Sequence, residues 1–255
     1  MTGRLQDRVA VITGGASGIG KGIAARFAAE GAHVVIADVD GRAAEATADE
    51  LSTAAGREGA VTAAACNVAR GQDVTALFQM LDRDHGRVDV LVNNAGLNVR
   101  GDFRHMSDAD WEQIREVNLD GVVRIARDGL PLLAKSEAGS LINIASIMGH
   151  RGLRQLVGYS ATKGAVAALT RGLAVEYAPF GVRVNGIAPG FVETALTNRV
   201  LRNPIFSKAL IDQTPMKRFG TADDVAGAAL FLGCDDSLFV TGAEIAVDGG
   251  MSAGL

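Results

Sequence analysis

The chain has 255 residues, of which 48% are hydrophobic and 21% charged, so it can bury a sizeable core and is not disordered. Its formal net charge of −4 provides no basic footprint, which argues against nucleic acid as the main partner. Two cysteines, four scattered histidines and no secretion signal or long apolar run argue against a disulfide framework, a metal site and a membrane span, and we expect a cytoplasmic protein.

The first predicted unit is a strand, a glycine-rich loop and a helix. Val9–Ile12 is an apolar run typical of a buried strand, and the alanine-rich segment Lys21–Glu30 predicts a helix. In the loop between them, Thr13–Gly20, the glycines would let the backbone meet a pyrophosphate, and the helix N-terminus would supply N–H groups. Alone, such a loop is equally typical of a tight turn.

The second predicted strand, His33–Ala37, ends in Asp38, eighteen residues after Gly20. A carboxylate at this point can accept hydrogen bonds from the adenine-side ribose hydroxyls and would repel a 2′-phosphate. No lysine or arginine directly follows it, and the loop carries Ser17 where a basic residue would favour a phosphate. These features favour NAD over NADP, although Asp38 could instead simply start the turn at the Asp-Gly pair that follows.

The rest of the chain alternates between helix and strand patterns. This alternation predicts an α/β fold, a doubly wound parallel sheet of about seven strands with helices on both faces, in one domain spanning residues 1–255. Ligands then belong at the carboxyl ends of the strands, where Thr13, Asp38, Asn67 and Asn93 fall. The later predicted elements are helix Arg42–Ala55, strand Ala60–Ala65, helix Gln72–Asp84, strand Val88–Val92, strand Ser140–Ile144, helix Gly158–Tyr177, strand Val182–Ile187, helix Thr221–Leu232 and strand Ala243–Val247.

Two segments depart from this alternation. A helical pattern begins with Ser107 as N-cap and runs toward Lys135, but it is interrupted near Asn118. An asparagine inside a helix competes for backbone hydrogen bonds, so Asn118 marks a kink or its amide is used. The segment Phe191–Phe219 has no strand pattern and contains two prolines. We expect it to be a helix–loop excursion, the kind of element that becomes a lid.

Tyr159 and Lys163 are four residues apart on a predicted helix and therefore point the same way. A free phenol, with a pKa of about 10, is a poor base at neutral pH. A lysine cation one turn away favours the phenolate and would lower that pKa. The pair then makes a plausible general acid/base. The alternative interpretation is a solvated helix face, which is the more usual one for an isolated pair of this spacing.

Taken together, these features resemble the short-chain dehydrogenase/reductase family over essentially the whole chain, from Val9 to Gly250. Each motif is modestly specific alone, but their order and spacing leave little room for chance. The motifs are the Thr-Gly-x-x-x-Gly-Ile-Gly loop at Thr13–Gly20, Asn93-Asn94-Ala95-Gly96, Asn118, Ser146, Tyr159-x-x-x-Lys163, Pro189-Gly190 with Thr194, and Val240-Thr241-Gly242 through Asp248-Gly249-Gly250.

The resemblance implies a Rossmann fold, a nicotinamide cofactor and interconversion of a secondary alcohol and a ketone. It implies Tyr159 as the acid/base, Lys163 as the group that lowers its pKa and holds the nicotinamide ribose, Ser146 as a ligand of the substrate oxygen, and Asn118 as the holder of a water in a proton path. The implied NAD-binding residues are Gly14, Ser17, Gly18, Ile19, Gly20, Asp38, Asn67, Val68, Asn94, Ala95, Gly96, Tyr159, Lys163, Pro189, Gly190, Val192 and Thr194.

One residue departs from the family pattern. Asn67 ends the third strand where the family commonly has an aspartate that receives the adenine amino group. An amide oxygen can still accept that hydrogen bond. We therefore expect weaker adenine binding rather than its loss.

The substrate is less constrained by the sequence. His150, Arg151 and Arg154 lie between Ser146 and Tyr159 in a loop that should border the substrate, as Tyr159 and Ser146 do. A cation there would pair with a carboxylate or phosphate, which favours a sugar, sugar acid or hydroxy acid. A solvated basic turn explains the same residues. Weaker support for a charged substrate comes from Arg199, Arg202 and Lys208, whereas Leu153, Leu156, Phe191, Leu196, Ile205 and Phe206 would suit an apolar cyclic or aromatic ketone.

Two other functions would use a similar fold. A catalytically silent NAD-binding sensor or assembly subunit would be expected to lack Ser146, Tyr159 or Lys163, and all three are present. A carrier-protein-linked ketoreductase would use NADP, which Asp38 argues against. Relatives of this kind are mostly tetramers, so we expect a homotetramer. Its interface would use the small residues of the Tyr159 helix and the apolar stripe Val122, Ile125, Ala126, Leu130 and Leu133, which a buried core would also explain.

Overall fold

The computed structural model describes residues 3–194, 197 and 203–254. Seven parallel strands form one sheet in the order β3-β2-β1-β4-β5-β6-β7, which confirms the predicted doubly wound architecture. The order reverses between β1 and β4, so their loops diverge and leave a crevice at the carboxyl end of the sheet. The strands are β1 Val9–Thr13, β2 His33–Asp38, β3 Val61–Ala65, β4 Val90–Asn93, β5 Ser140–Ile144, β6 Arg183–Pro189 and β7 Glu244–Val247.

Helices cover both faces of the sheet. Helices α1, α2 and α8 pack on one face, and α3, α5 and α6 pack on the other. Strands β1, β4, β5 and β6 are buried along their whole length, which explains the apolar runs of β1 and β4. The helices are α1 Gly18–Ala29, α2 Gly41–Ala54, α3 Gly71–His85, α4 Asp108–Arg115, α5 Gly121–Leu133, α6 Val157–Tyr177, α7 Pro204–Gln213 and α8 Ala222–Gly233.

The predicted interruption of the helix after Ser107 is a π-helical turn, Glu116–Asp120, between α4 and α5. Ser107 caps α4 in a capping box with Asp110, as the sequence pattern indicates. Single π-turns inside α-helices are frequent at functional sites. Asn118, at the centre of this turn, is completely buried.

The two ends of the excursion after β6 lie next to each other and are hydrogen-bonded. Val192 forms a parallel bridge with Gly220, and the Gly220 N–H donates to the Phe191 carbonyl at 2.9 Å. Within the excursion, α7 is capped by the Asn203 side chain. Leu196, Arg199 and Arg202, which were assigned to this segment as possible substrate contacts, lie outside the described residues. The lid function of the excursion stays a prediction.

The apolar stripe expected at a subunit interface is core in this chain. Val122, Ile125, Ala126 and Leu133 are at most 4% exposed and pack between α5 and the sheet. The part of the expected interface that does lie at the surface is on α6, where Ala161, Ala168 and Gly172 are exposed. No helix among the described residues combines the length and apolarity needed to cross a bilayer.

Candidate active site

A cavity of about 600 Å³ opens at the carboxyl end of the sheet, along the crevice between the β1 and β4 loops. This volume falls within the range of roughly 300–1,000 Å³ typical of ligand sites. Its lining includes every residue expected to bind the cofactor except Gly20. These residues are Gly14, Ser17, Gly18, Ile19, Asp38, Asn67, Val68, Asn94, Ala95, Gly96, Tyr159, Lys163, Pro189, Gly190, Val192 and Thr194, together with Ser146.

The glycine loop after β1 is hydrogen-bonded to the loop after β4. The Asn94 side chain donates to the carbonyl oxygens of Thr13 and Gly14 at 2.9 and 3.0 Å. In return, the Thr13 hydroxyl accepts the backbone N–H groups of Asn94 and Ala95. Gly14 and Gly18 have φ values of +65° and +55°, which a side chain would strain. The two loops therefore fix each other's conformation.

Gly20 does not line this cavity, and its contact with the cofactor stays a prediction. It is buried in the first turn of α1. A Cβ at this position would lie 2.2 Å from the Gly14 carbonyl oxygen and 2.5 Å from Asn94 Nδ2. The residue is a glycine because the helix packs directly against the phosphate loop, and its contribution to the site is that close approach.

We predict that Gly20→Ala lowers the free energy of unfolding by about 1–3 kcal/mol, because the added methyl overpacks the loop contact. Gly227→Ala is the matched control in α8, since nothing lies within 4 Å of the added Cβ there. That variant should gain about 0.5–1 kcal/mol from helix propensity alone. Chemical denaturation measures both. Equal effects of the two substitutions would contradict the packing role of Gly20.

At the far end of the cavity, the Asp38 carboxylate is held by two backbone N–H groups, from Ala16 at 3.1 Å and from Asp40 at 3.1 Å. The first of these belongs to the glycine loop, so the carboxylate is fixed beside the backbone of that loop. Val39, which also lines the cavity, is 72% exposed. Asn67 lies beyond them, and its side-chain oxygen accepts the Ala69 N–H at 3.0 Å, which leaves that oxygen a second lone pair.

Ser146, Tyr159 and Lys163 meet at the opposite end. Ser146 follows β5, and its hydroxyl accepts the Met148 N–H at 3.1 Å. Lys163 is 4% exposed, and its ammonium donates to the Ile144 carbonyl at 2.7 Å. Nζ lies 5.8 Å from the centroid of the Tyr159 ring. A phenol, a hydroxyl and an ammonium thus face one space where a substrate oxygen would exchange a proton.

The pKa pattern of this group differs from the one expected. Burial raises the pKa of Tyr159, and a hydrogen bond with Ser146 lowers it only in part. Burial also lowers the pKa of Lys163 to about 8, because a dry environment disfavours the charged ammonium. In the protein alone, burial sets the direction of the Tyr159 pKa, and the partial lowering comes from Ser146 and not, as expected, from Lys163.

From these shifts we predict opposite pH dependences for the two directions of reaction. Oxidation needs the phenolate, so its kcat/KM should rise with pH through neutrality and on into the alkaline range, because the raised pKa of Tyr159 keeps the phenol protonated at neutrality. Reduction needs the phenol, so its rate should fall as pH passes upward through that pKa. Initial rates in both directions measure this. Slopes of the same sign would contradict Tyr159 as the group that transfers the proton.

Asn118 supports the site through the loop that follows β4. Its side-chain oxygen accepts the Leu97 N–H, and its nitrogen donates to the Leu97 carbonyl, both at 2.8 Å. A Cβ on Gly96 would lie 3.4 Å from Asn118 Oδ1 and 3.7 Å from Lys163 Nζ. Asn118 therefore lies in an irregular helical turn and also forms hydrogen bonds through its side-chain amide, so both of the expected alternatives hold. It fixes the Gly96–Leu97 backbone beside the lysine, while its role in a proton path stays a prediction.

The basic side chains of the loop before Tyr159 line neither this cavity nor its extension, and their contact with the substrate stays a prediction. His150 pairs with Glu244 of β7. Arg151 donates to the carbonyl oxygens of Met251, Ser252 and Gly254, so it holds the C-terminal segment. Arg154 is exposed and lines neither the main cavity nor its extension. Oxygen atoms outside the cleft therefore bond to the His150 and Arg151 side chains. No sequence pattern indicates these contacts, because the partners lie about 100 residues away in the chain.

A smaller extension of the cleft contains residues that the sequence analysis missed. It has a volume of about 60 Å³ and shares Ser146, Tyr159, Gly190 and Thr197 with the main cavity. Its polar wall includes Asn98 and Arg100. The signal that could have identified them is their position, directly after the Asn93–Gly96 motif at the end of β4. Its apolar wall consists of Ile147, Met148, Leu156 and Phe191.

Comparisons with known proteins agree with this geometry. A family model described as enoyl-(acyl carrier protein) reductase matches residues 14–252. The 3-oxoacyl-(acyl-carrier-protein) reductase FabG of Thermotoga maritima is 36% identical over 97% of this chain and 99% of its own length. The 5-keto-D-gluconate 5-reductase of Escherichia coli K12 is 36% identical over 94% of each chain.

Among solved structures, a gluconate 5-dehydrogenase from Burkholderia cenocepacia in complex with NADP and tartrate superposes with a TM-score of 0.94. It is 36% identical to this chain and the match covers 99% of this chain and 98% of that one. Similar chains thus reduce or oxidise different substrates, and two similar chains were solved with NADP bound.

Proposed function

We propose that this chain, which belongs to the short-chain dehydrogenase/reductase family, uses NAD to interconvert a secondary alcohol and a ketone on a polar small molecule. The oxidoreductase class follows from its relatives, which act as oxidoreductases. Beyond this class, we propose that the cofactor is NAD and that the substrate is polar. The observation that carries it is the convergence of Ser146, Tyr159 and Lys163 at one end of a cavity whose other end holds Asp38.

The residues present fit a nicotinamide dinucleotide. The glycine loop would hold the pyrophosphate, Asp38 the adenine-side ribose, Lys163 the nicotinamide-side ribose, and Thr194, beside Gly18, the carboxamide. When bound, the nicotinamide accepts or donates the hydride. The buried walls at Ile144, Ala145 and Pro189 would exclude water from that end of the cleft.

Within this arrangement each residue of the catalytic group has a separate task. Ser146, oriented by the Met148 N–H, donates to the substrate oxygen and positions it. Tyr159 takes the hydroxyl proton in oxidation and returns it in reduction. Lys163, held by the Ile144 carbonyl, places a positive charge near the phenolate as it forms. Asn118 keeps the adjoining Leu97 backbone in place.

The preference for NAD rests on charge at the adenine end. A 2′-phosphate would meet the Asp38 carboxylate, whose two hydrogen bonds come from fixed backbone, and like charges at this distance repel. Val39 directly follows and provides no cation. Two relatives were solved with NADP bound, so family membership does not favour NAD and the selectivity must be measured in this chain.

We predict that Asn67→Asp tightens NAD binding several-fold, because a carboxylate accepts the adenine amino group more strongly than an amide does. Titration of the reduced cofactor by fluorescence measures the dissociation constant. The neighbouring Ala69 N–H, which now bonds to the Asn67 side chain, would keep the same partner in the variant. An unchanged or weaker affinity would contradict the assigned adenine contact.

A second candidate substrate is an apolar cyclic or aromatic alcohol. The observation in its favour is the apolar wall of the small extension, where Ile147, Met148, Leu156 and Phe191 lie beside Tyr159. A silent NAD-binding sensor or assembly subunit remains the least supported function, because the complete catalytic group lines the cleft. We further propose a cytoplasmic homotetramer, with the exposed small residues of α6 at the interface.

The experiment that tests the proposed function is cofactor reduction across a panel of secondary alcohols, sugars, sugar acids and hydroxy acids, with NAD and NADP in parallel. Turnover of polar substrates with NAD is expected. Turnover of apolar alcohols alone would favour the second candidate substrate, an apolar cyclic or aromatic alcohol. Cofactor binding without any turnover would contradict the enzyme and support the sensor.

A further inference from the structure

The substrate end of the cleft carries a cation that the catalytic chemistry does not use. Arg100 lines the small extension together with Ser146 and Tyr159. Among the described residues it has neither an ion pair nor a hydrogen bond. The nearest acidic residue in sequence, Asp102, is instead paired with Arg104. Burial lowers the pKa of Arg100, and no carboxylate opposes that effect. Arg100 is an exposed residue, so its guanidinium is accessible to a ligand and gains no anion from the described residues.

Asn98, two residues earlier, is also incompletely satisfied. Its side-chain oxygen is buried from solvent and has no hydrogen-bond partner within the described residues. A buried amide oxygen without a donor costs free energy, and such groups in native proteins need an explanation. Since Asn98 lines the same extension, a hydroxyl group on a ligand would supply the missing donor.

The segment that carries both residues is anchored at its two ends. Asn118 holds Leu97 by two hydrogen bonds of 2.8 Å. Beyond Arg100, the Gly101 N–H donates to the carbonyl of Gln155 in the loop before Tyr159, and the Asp102 side chain caps the short 3₁₀ turn Phe103–His105. The side chains of Asn98 and Arg100 thus start from a fixed backbone, as a recognition site requires.

We propose that Arg100 and Asn98 form a substrate-recognition subsite that binds, respectively, the carboxylate and a hydroxyl group of a small hydroxy acid. The inference rests on the proposed function, because it takes the alcohol carbon to lie between Ser146 and Tyr159. The proposal assigns the contact with the substrate carboxylate to Arg100, which lines the cleft, and not to His150, Arg151 or Arg154. The extension of about 60 Å³ favours a short acid over a bulky thioester.

The direct test is ligand binding to the complex with NADH, read from cofactor fluorescence, with tartrate as the probe and dimethyl tartrate as its uncharged counterpart. Wild type should bind the acid more tightly than the ester. Arg100→Gln should weaken tartrate binding about 10–100-fold, since a charge-assisted hydrogen bond to the carboxylate is lost. Its affinity for the ester should change by less than about threefold. Asn98→Leu should weaken tartrate but leave succinate, which has no hydroxyl group, unchanged.

Arg104→Gln is the matched control, because it removes the same charge from an exposed, ion-paired arginine nearby and should change neither affinity. Equal weakening of acid and ester by Arg100→Gln, or an equal effect of Arg104→Gln, would overturn the subsite. Equal binding of the acid and the ester by wild type would also overturn it. A failure of the proposed function can be distinguished from a failure of the subsite. In that case tartrate binding would still depend on Arg100, but no alcohol in the panel would be oxidised.

Discussion

Replacing Tyr159 with phenylalanine is expected to lower kcat for alcohol oxidation by about 10²–10⁴-fold, the range that a positioned general acid/base contributes. The substitution removes one oxygen atom and leaves the ring among Ile147, Met148 and Leu156, so the cleft keeps its shape. Lys163 keeps its hydrogen bond to the Ile144 carbonyl. NAD binding, measured by titration, should therefore change by only a few-fold while steady-state turnover collapses.

The chain offers a matched control in its other tyrosine. Tyr177 is 5% exposed, and its hydroxyl donates to the Ala126 carbonyl at 3.0 Å, far from the cleft lining. Tyr177→Phe removes the same atom and should cost about 1 kcal/mol of stability with kcat unchanged. Retained turnover in Tyr159→Phe, or an equal loss in both variants, would contradict the assigned proton transfer.

Asp38→Asn should shift the ratio of kcat/KM for NAD over that for NADP by about 10²–10³-fold toward NADP. Like-charge contact with a 2′-phosphate costs several kcal/mol, and each ~1.4 kcal/mol corresponds to a tenfold change. The amide retains an oxygen that can accept the Ala16 N–H, so the glycine loop should keep its position. Parallel initial-rate measurements with the two cofactors provide the ratio.

Asp40→Asn is the control for that experiment. It removes the same charge two residues later, at the N-cap of α2, where Asp40 accepts the Ala43 N–H, and Asp40 does not line the cavity. Its cofactor ratio should stay within about threefold of wild type, because a charge in contact with solvent is screened. An unchanged ratio in Asp38→Asn would mean that another feature sets cofactor choice.

Much of the fold could be predicted because its determinants are local in the sequence. The apolar runs at β1, β4 and β5 indicate strands buried on both faces, and the Ser107 capping box marks the start of α4. The Tyr159–Lys163 spacing places both side chains on one helix face, and the structure puts both in the cleft. Parallel-sheet topology then brings the strand-end residues to one edge.

The remaining features depend on contacts between distant segments. Arg151 follows Ser146 closely, but the carbonyl oxygens of the C-terminal segment hold it outside the cleft. Gly20 matches a cofactor motif, yet its place is set by packing against Gly14 and Asn94. Desolvation of Tyr159 and Lys163 depends on every wall of the site, so the direction of the Tyr159 pKa could not follow from their spacing. Periodicity contains none of this information.

The most direct test of the account is hydride transfer from a substrate of the alcohol panel that carries deuterium on its carbinol carbon. Mass spectrometry measures the deuterium in the reduced cofactor. The wild-type chain is expected to produce deuterium-labelled reduced NAD, and Tyr159→Phe should produce almost no labelled cofactor in the same time. Reduced cofactor without the label, or equal labelling by wild type and Tyr159→Phe, would contradict the account.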